Sequence, residues 1–322
     1  MIFTNKVVAL MNFCIGGGSK YLQSQLDGLK EINSIPAYPL KYFYQFWNEW
    51  KKKDKNKKQI LDLIIHHHRS IIDSRRLKGF NGLTTLGKNK NKFIKLSEKK
   101  FRYNFLEFIK KRNLNSRNIL LAIHYAYFKT KKFNINFMKS LLIHIHESSE
   151  FNMYLKKDFK DSKAIVMVRD PINYFWKRIR NDKIIEKSRF DRSDNILLEN
   201  YGYRSSLINM FYGFKFVNNH FFRKYLFIRF EDLKSNNKRT IFKICKYLNL
   251  KYSKKMSQST FDNKLWWSDK VYQKKNPHKS KISDFNYSYD YKNFFKYEVL
   301  TLQFILYRYF KKIGYKNHTD SI

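Results

Sequence analysis

Ile165-Val166-Met167-Val168-Arg169-Asp170-Pro171 joins four apolar residues without alternation to an arginine and a proline. An unbroken apolar run suits a strand buried on both faces, the condition of a parallel sheet with helices on either side. Pro171 suits the first turn of a helix that follows. Arg169 then emerges at the carboxyl edge of the sheet, where open α/β sheets take their ligands. Its planar five-donor guanidinium matches a phosphate, and the competing reading is a solvated or ion-paired strand end.

On either side of this stretch, short apolar runs alternate with helical patterns. Residues 7–15 read as a first strand, Gly16-Gly17-Gly18-Ser19 as a tight loop and residues 20–29 as a helix. Helical patterns follow over 41–50 and 59–73, then a loop around Gly79, Gly82 and Gly87. Two more helices are predicted over 97–112 and 116–131, with Ser97 and Ser116 as N-caps. A strand over 141–146, a helix over 151–159, the strand over 164–168 and a helix over 171–183 come next. The strand over 225–230 leads to a helix over 235–248, and a closing helix over 293–312 stops at Gly314. The pattern predicts an α/β fold with a central parallel β-sheet flanked by helices. It reads as one domain over 1–322, with a helical insertion over about 51–138 and an irregular, lid-like segment over about 257–291.

Composition sets the outer limits. With 322 residues, 43% hydrophobic and 18% aromatic, the chain can bury a large core. Lysine and arginine number 66 against 26 acidic residues, a net charge of +40 that draws anions from a distance. Lys and Asn are nevertheless spread along the whole length, and no basic-aromatic module stands out, so nucleic acid is not the expected partner. Cys14 and Cys245 sit in apolar surroundings without paired spacing and read as reduced, buried thiols. No run approaches eighteen apolar residues, and the first fifteen residues read as a strand and not as a secretion signal. A cytoplasmic protein without a membrane span is expected.

Three glycines after a strand let backbone N–H groups approach an anion, while the following helix presents its positive end and Lys20 adds a charge. No Gly-Lys-Ser/Thr with nucleotide-triphosphatase spacing occurs, which disfavours a P-loop kinase. The segment from Gly16 to Gly28, then Ile165 to Pro171, then Arg229-Phe230-Glu231-Asp232-Leu233 resemble, in order, the three signatures of P-loop sulfotransferases. The resemblance covers most of the chain and is weakest over about 51–138. It implies a nucleotide-kinase-like fold and 3′-phosphoadenosine 5′-phosphosulfate as sulfuryl donor, without a metal. It also implies a hydroxyl or amine acceptor on a small molecule, carbohydrate or lipid.

Position by position, the resemblance assigns Gly16, Gly17, Gly18, Ser19 and Lys20 to the 5′-phosphosulfate. Tyr21 and Phe230 fall where the family places aromatics near adenine; for both, plain core packing is the other reading. Arg169 matches the arginine of the 3′-phosphate, and Lys177 stands where the family has a Ser for that phosphate. In Leu141-Leu142-Ile143-His144-Ile145-His146 the alternation puts His144 and His146 on one face at a strand end. His146 stands where cytosolic sulfotransferases have the histidine that takes the acceptor's proton, 23 positions before Arg169. Its neighbour Glu147 is an equal candidate on chemistry, and a His satisfied by backbone is the structural alternative.

The chain departs from the family pattern in the loop. The family's first loop cation is replaced by Gly16, and Lys20 stands at its second Thr position, so the cation has moved to the start of the helix. A displaced cation costs rate more than binding, which makes a catalytically impaired nucleotide-binding protein the alternative reading. Leu29-Lys30 also replaces the family's His-Pro. Elsewhere, consecutive His66, His67 and His68 diverge around a helix and do not converge on one ion. The aromatic stretch from Ile35 to Trp47 reads as core or as one wall of an acceptor pocket, and Trp266-Trp267-Ser268-Asp269 as part of a lid.

Overall fold

A computed structural model gives the fold and describes residues 6–12, 17–37, 39–76, 82–147, 154–170, 225–267 and 296–315. The elements in chain order begin with β1 (Val7–Asn12), α1 (Ser19–Leu26), β2 (Ile32–Asn33), α2 (Phe43–Trp50), α3 (Lys57–His67), α4 (Glu98–Ile109) and α5 (Ser116–Thr130). Next come β3 (Ser140–Glu147), β4 (Lys163–Val168), β5 (Leu226–Arg229), α6 (Phe230–Ser235) and α7 (Asn237–Leu248). The hairpin β6 (Thr260–Phe261) and β7 (Lys264–Leu265) precedes α8 (Lys296–Ile305) and α9 (Tyr307–Ile313).

The first five strands form one sheet in the order β2-β3-β1-β4-β5, and every neighbouring pair is parallel. The α/β class read from the sequence is therefore the class observed. All of β1 is buried, as is β4 from Ala164 onward, because helices cover both faces. Val8, Leu10, Leu142, Ile165 and Met167 pack with Leu22 and Leu26 of α1 and with Ile241 and Ile244 of α7. Val7, Ala9, Met11, Leu141, Ile143 and Val166 belong to a larger cluster that takes in α2 to α5 and Phe310 of α9. Each Val, Leu, Ile or Met side chain so buried contributes about 1.5–3 kcal/mol, which makes the sheet the anchor of the molecule.

Several boundaries differ from the sequence expectation. The cap of α5 is Asn115, whose Oδ1 accepts from Asn118 N–H at 2.8 Å, while Ser116 Oγ–H donates to Asp158 Oδ1 instead. Helix α3 stops at His67 because His68 leaves helical geometry and its Nδ1 meets Pro39 O at 2.8 Å. Phe230 opens α6 and does not end a strand, and the closing helix breaks at Leu306 before stopping at Gly314, whose φ is 76°. The start of the segment read as an irregular lid is a hairpin. Asp262 and Asn263, both at positive φ (58° and 55°), make its two-residue turn.

This hairpin is fastened to the far end of α1. Asp27 Oδ2 accepts from Thr260 Oγ–H at 2.8 Å and from Asn263 N–H at 2.9 Å. Asp262 is ion-paired with both Lys131 and Lys264. Beyond it, Trp266 is buried against Phe261 and Leu83, and Trp267 Nε1–H donates to Gly87 O at 2.7 Å. The two tryptophans thus anchor this strap to the body. Residues 268–291 of the expected lid, and the expected helix over 171–183, lie outside the described residues.

Candidate functional site

The head of α1 is built by close packing. Gly18 caps the helix at φ 94°, ψ 11°, the left-handed region that favours glycine. A Cβ there would lie 2.2 Å from Cδ2 of Phe230, so the ring of Phe230 rests directly on the bare backbone of the loop. Asn12 Oδ1, from the end of β1, accepts from Ser19 N–H at 3.2 Å and ties the loop to its strand.

The register of β4 and β5 pairs Val168 with Arg229, which sets the next residues, Arg169 and Phe230, side by side at the carboxyl edge. Arg169 Cζ lies 4.9 Å from the Phe230 ring centroid, and Arg169 is 6% exposed. The guanidinium and the glycine loop are therefore both neighbours of one ring. Lys234, one turn into α6, puts Nζ 3.5 Å from the Tyr21 centroid and 5.7 Å from that of Phe230. Tyr21 and Phe230 meet edge to face at 6.3 Å and 73°. Burial pushes the Tyr21 phenol up to about 12, and its oxygen accepts from Gln25 Nε2 at 3.2 Å, so it stays neutral.

Glu231 braces this edge from behind. Its Oε1 accepts from Asp170 N–H at 3.0 Å and its Oε2 from Tyr315 O–H at 2.8 Å, joining the ends of β4, β5 and α9. Burial raises its carboxyl pKa, opposed by these hydrogen bonds and by Arg169.

Behind the loop, α1 and β3 share a buried polar chain. Ser19 Oγ lies 2.7 Å from His144 Nε2, and His144 Nδ1 lies 3.0 Å from Gln23 Oε1. Gln23 Nε2 in turn donates to Ser34 Oγ and to Ile35 O. Sequence reasoning placed His144 on the face of His146 but gave neither it nor Gln23 a role. The signal was present in Ser19 and Gln23, spaced i, i+4 on one helix face, and in a histidine that follows the apolar run Leu141-Leu142-Ile143.

His146 lies one residue from the end of β3. Its direction was read from simple alternation, but the pairing shifts there: Met11 pairs Ile145 while Asn12 pairs Glu147, leaving His146 as the extra residue. The side chains of His146 and Glu147, and the whole of Gly16 and Lys177, lie outside the described residues. Among the assigned positions, Gly17, Gly18, Ser19, Lys20 and Tyr21 lie together at the head of α1 and in the turn before it, and Phe230 joins them to Arg169.

Other candidates resolve as structure. His66 meets Arg69, His67 and His68 pack on Phe46 and Trp50, and His68 is buried with its pKa lowered to about 4 by desolvation, so the rings are engaged in packing and hydrogen bonds. Ile35, Leu40, Phe43, Tyr44 and Trp47 belong to the core, the first of the two readings for that stretch. Cys245 is a free, buried thiol beside Met256, and Cys14 lies outside the described residues. Among the described residues no group of three or more His, Cys, Asp or Glu could hold a metal ion, and no helix is long and apolar enough to cross a membrane. A cavity of about 300 Å³ beside β5, lined in part by Arg229, Thr240, Lys243 and Lys312, contains none of the assigned residues.

No protein-family model matches this chain, and no curated protein does. Among solved structures it is similar to a sulfotransferase domain from the curacin biosynthetic pathway, with TM-score 0.40, 15% identity and coverage of 80% of this chain and 78% of that one. For sulfotransferase STF9 from Mycobacterium avium the values are 0.44, 12%, 98% and 78%. For a sulfotransferase domain from the Synechococcus PCC 7002 olefin synthase they are 0.38, 13%, 82% and 80%.

In chemical terms, the arrangement is a helix N-terminus and a glycine turn bordered by the cations Lys20, Arg169 and Lys234, with two aromatic rings between them. Such a site attracts a phosphorylated ligand that also carries a flat, apolar part.

Proposed function

We propose that this chain is a sulfotransferase that moves a sulfuryl group from 3′-phosphoadenosine 5′-phosphosulfate to a hydroxyl or amine of its acceptor. The observation that carries the reading is the contact of one ring, Phe230, with both Gly18 and Arg169, which joins the two segments that the sequence assigns to opposite phosphates of the donor. The residues fit that group in charge. Arg169 and Lys234 lie 4.9 Å and 5.7 Å from the ring centroid, and glycine at position 18 lets the ring pack against the loop backbone.

The donor, when bound, supplies an activated sulfuryl group on a phosphate leaving group. In this reading the amides of the Gly16–Ser19 loop and Lys20 stabilise the charge left on that phosphate. Arg169, with Lys177, holds the 3′-phosphate, and Tyr21 and Phe230 border the adenine. His146 takes the acceptor's proton as general base. The reading also takes the compartment to be cytoplasmic, the whole chain to be one domain, and the acceptor to be a small molecule, carbohydrate or lipid. Glycine in place of the loop's first cation supports the second reading, a slow or inactive nucleotide binder of the same kind.

Thermal unfolding with adenosine 3′,5′-bisphosphate, compared with ATP plus Mg²⁺, tests the proposal. At a hundred times its Kd a ligand adds about 2.7 kcal/mol, a readily measured shift. Stabilisation by the bisphosphate and its loss in Arg169→Ala are expected, with the unliganded fold kept. Stabilisation by ATP alone would point to a kinase, and bisphosphate binding without transfer of labelled sulfate to an acceptor panel would point to the inactive binder.

A further inference from the structure

The directions of the hydrogen bonds behind the loop follow from a single fixed acceptor. Gln23 Nε2 lies 2.8 Å from the carbonyl oxygen of Ile35, which only accepts, so the amide nitrogen faces that side and its oxygen faces His144. His144 Nδ1 therefore carries a proton and donates to Gln23 Oε1 at 3.0 Å. In the neutral ring Nε2 is then a lone pair, and Ser19 Oγ–H donates to it at 2.7 Å. Ser19 is 1% exposed and His144 7%, so water competes little for these bonds.

We propose that His144 is the positioning residue for the Ser19 hydroxyl in anion binding at the head of α1, and that it takes up a proton when an anion occupies the loop. The proposal rests on the nucleotide reading above and deepens its 5′-phosphate end. A phosphate oxygen facing Ser19 only accepts, so Oγ–H turns toward it. That leaves the hydroxyl oxygen and Nε2 facing each other as two acceptors in a buried place, an arrangement that costs the bond and more. One proton from the medium on Nε2 restores it with reversed direction: Nε2–H donates to Ser19 Oγ, while Nδ1–H still donates to Gln23 Oε1. No covalent bond changes, and the balance is one H⁺ taken up per anion bound. The imidazolium then stands behind the anion and favours it.

Among the described residues, the groups in this chain besides His144 are Ser19 and Gln23 of α1, Asn12 of β1 through Ser19 N–H, and Ser34 after β2 through Gln23. None of them titrates near neutrality. Around the same loop the cations Lys20 on α1, Arg169 beyond β4 and Lys234 on α6 oppose a second proton until an anion arrives, and the carboxyl of Glu231, which faces Arg169, stands with Asp170 behind that edge.

Calorimetry of adenosine 3′,5′-bisphosphate binding at pH 8, in two buffers of different ionisation enthalpy, counts the protons taken up. The full chain is compared with His144→Gln, whose amide can bond to Ser19 and Gln23 but does not titrate. The wild type is expected to take up about one proton more than the variant, and its affinity to fall toward tenfold per pH unit as pH rises from 8. Ser19→Ala removes the hydroxyl and is expected to bind without the extra proton; it serves in the same comparison if His144→Gln does not fold. Equal proton counts in wild type and variant overturn the proposal and leave the nucleotide reading standing. Absence of binding by both the bisphosphate and inorganic pyrophosphate overturns the two together.

Discussion

The two ends of α1 both bury polar groups against distant parts of the chain, yet they do so in different ways. At the far end Asp27 accepts two hydrogen bonds from the β6–β7 hairpin, and the neighbouring Asp262 is matched by Lys131 and Lys264. Every charge there has an opposite charge or a donor, which is how a structural joint is made. At the head the bonded chain through Ser19, His144 and Gln23 is uncharged when the ring is neutral, and the cations Lys20, Arg169 and Lys234 stand around it, with the buried carboxyls of Glu231 and Asp170 behind Arg169. An excess of like charge around a glycine turn is a feature that a bound anion would relieve. One end of a short helix thus fastens, and the other end is suited to receive.

That contrast can be broken experimentally. The largest loss of stability is expected for Asp27→Ala, which removes the acceptor of two hydrogen bonds and loosens the hairpin. A cost of about 3 kcal/mol in urea unfolding is expected, with bisphosphate affinity in the folded fraction unchanged. Gly18→Ala should cost about 2 kcal/mol, because the residue sits at positive φ and its new methyl group meets Phe230. Unlike the first change, it should also abolish stabilisation by the bisphosphate. Adding Phe230→Ala should recover the steric part and not the backbone part, as a double-mutant cycle would measure.

A pH series sharpens the comparison further. Burial raises the carboxyl pKa of Asp27 above its ordinary value, so the folded chain holds that proton more tightly than the unfolded one. The stability this contributes is fully present below about pH 4 and is lost as pH rises through the raised native value. Asp27→Asn should flatten that part of the profile, read as urea midpoints between pH 4 and 7. The smallest effect is expected at the outer strap: Trp267→Phe removes the donor to Gly87 O and should cost about 1 kcal/mol, measured by thermal unfolding, without change at the loop.

Much of this was legible in the residues. The unbroken apolar runs at 7–12 and 164–168 read as doubly buried strands because a strand covered on both faces has no polar side to show. Arg169 at the strand end and glycines ahead of α1 followed from local order alone. The break between α8 and α9, the bulge at His146 and the hairpin at Asp262 and Asn263 were not legible, because each is settled by what packs against it. The aromatic stretch from Ile35 to Trp47 was ambiguous for the same reason: periodicity gives a face, and only packing says whether that face meets core or ligand.

Strand and helix alternation, burial on both sheet faces and the cation at the carboxyl edge are properties of the one-dimensional pattern, since each depends on neighbours a few residues apart. The stack of Arg169 and Phe230 on Gly18, and the bond between Ser19 and His144 across 125 positions, depend on the strand order β3-β1-β4-β5. That order is chosen by how whole layers pack, through contacts whose partners lie too far apart in sequence for any local rule to pair them.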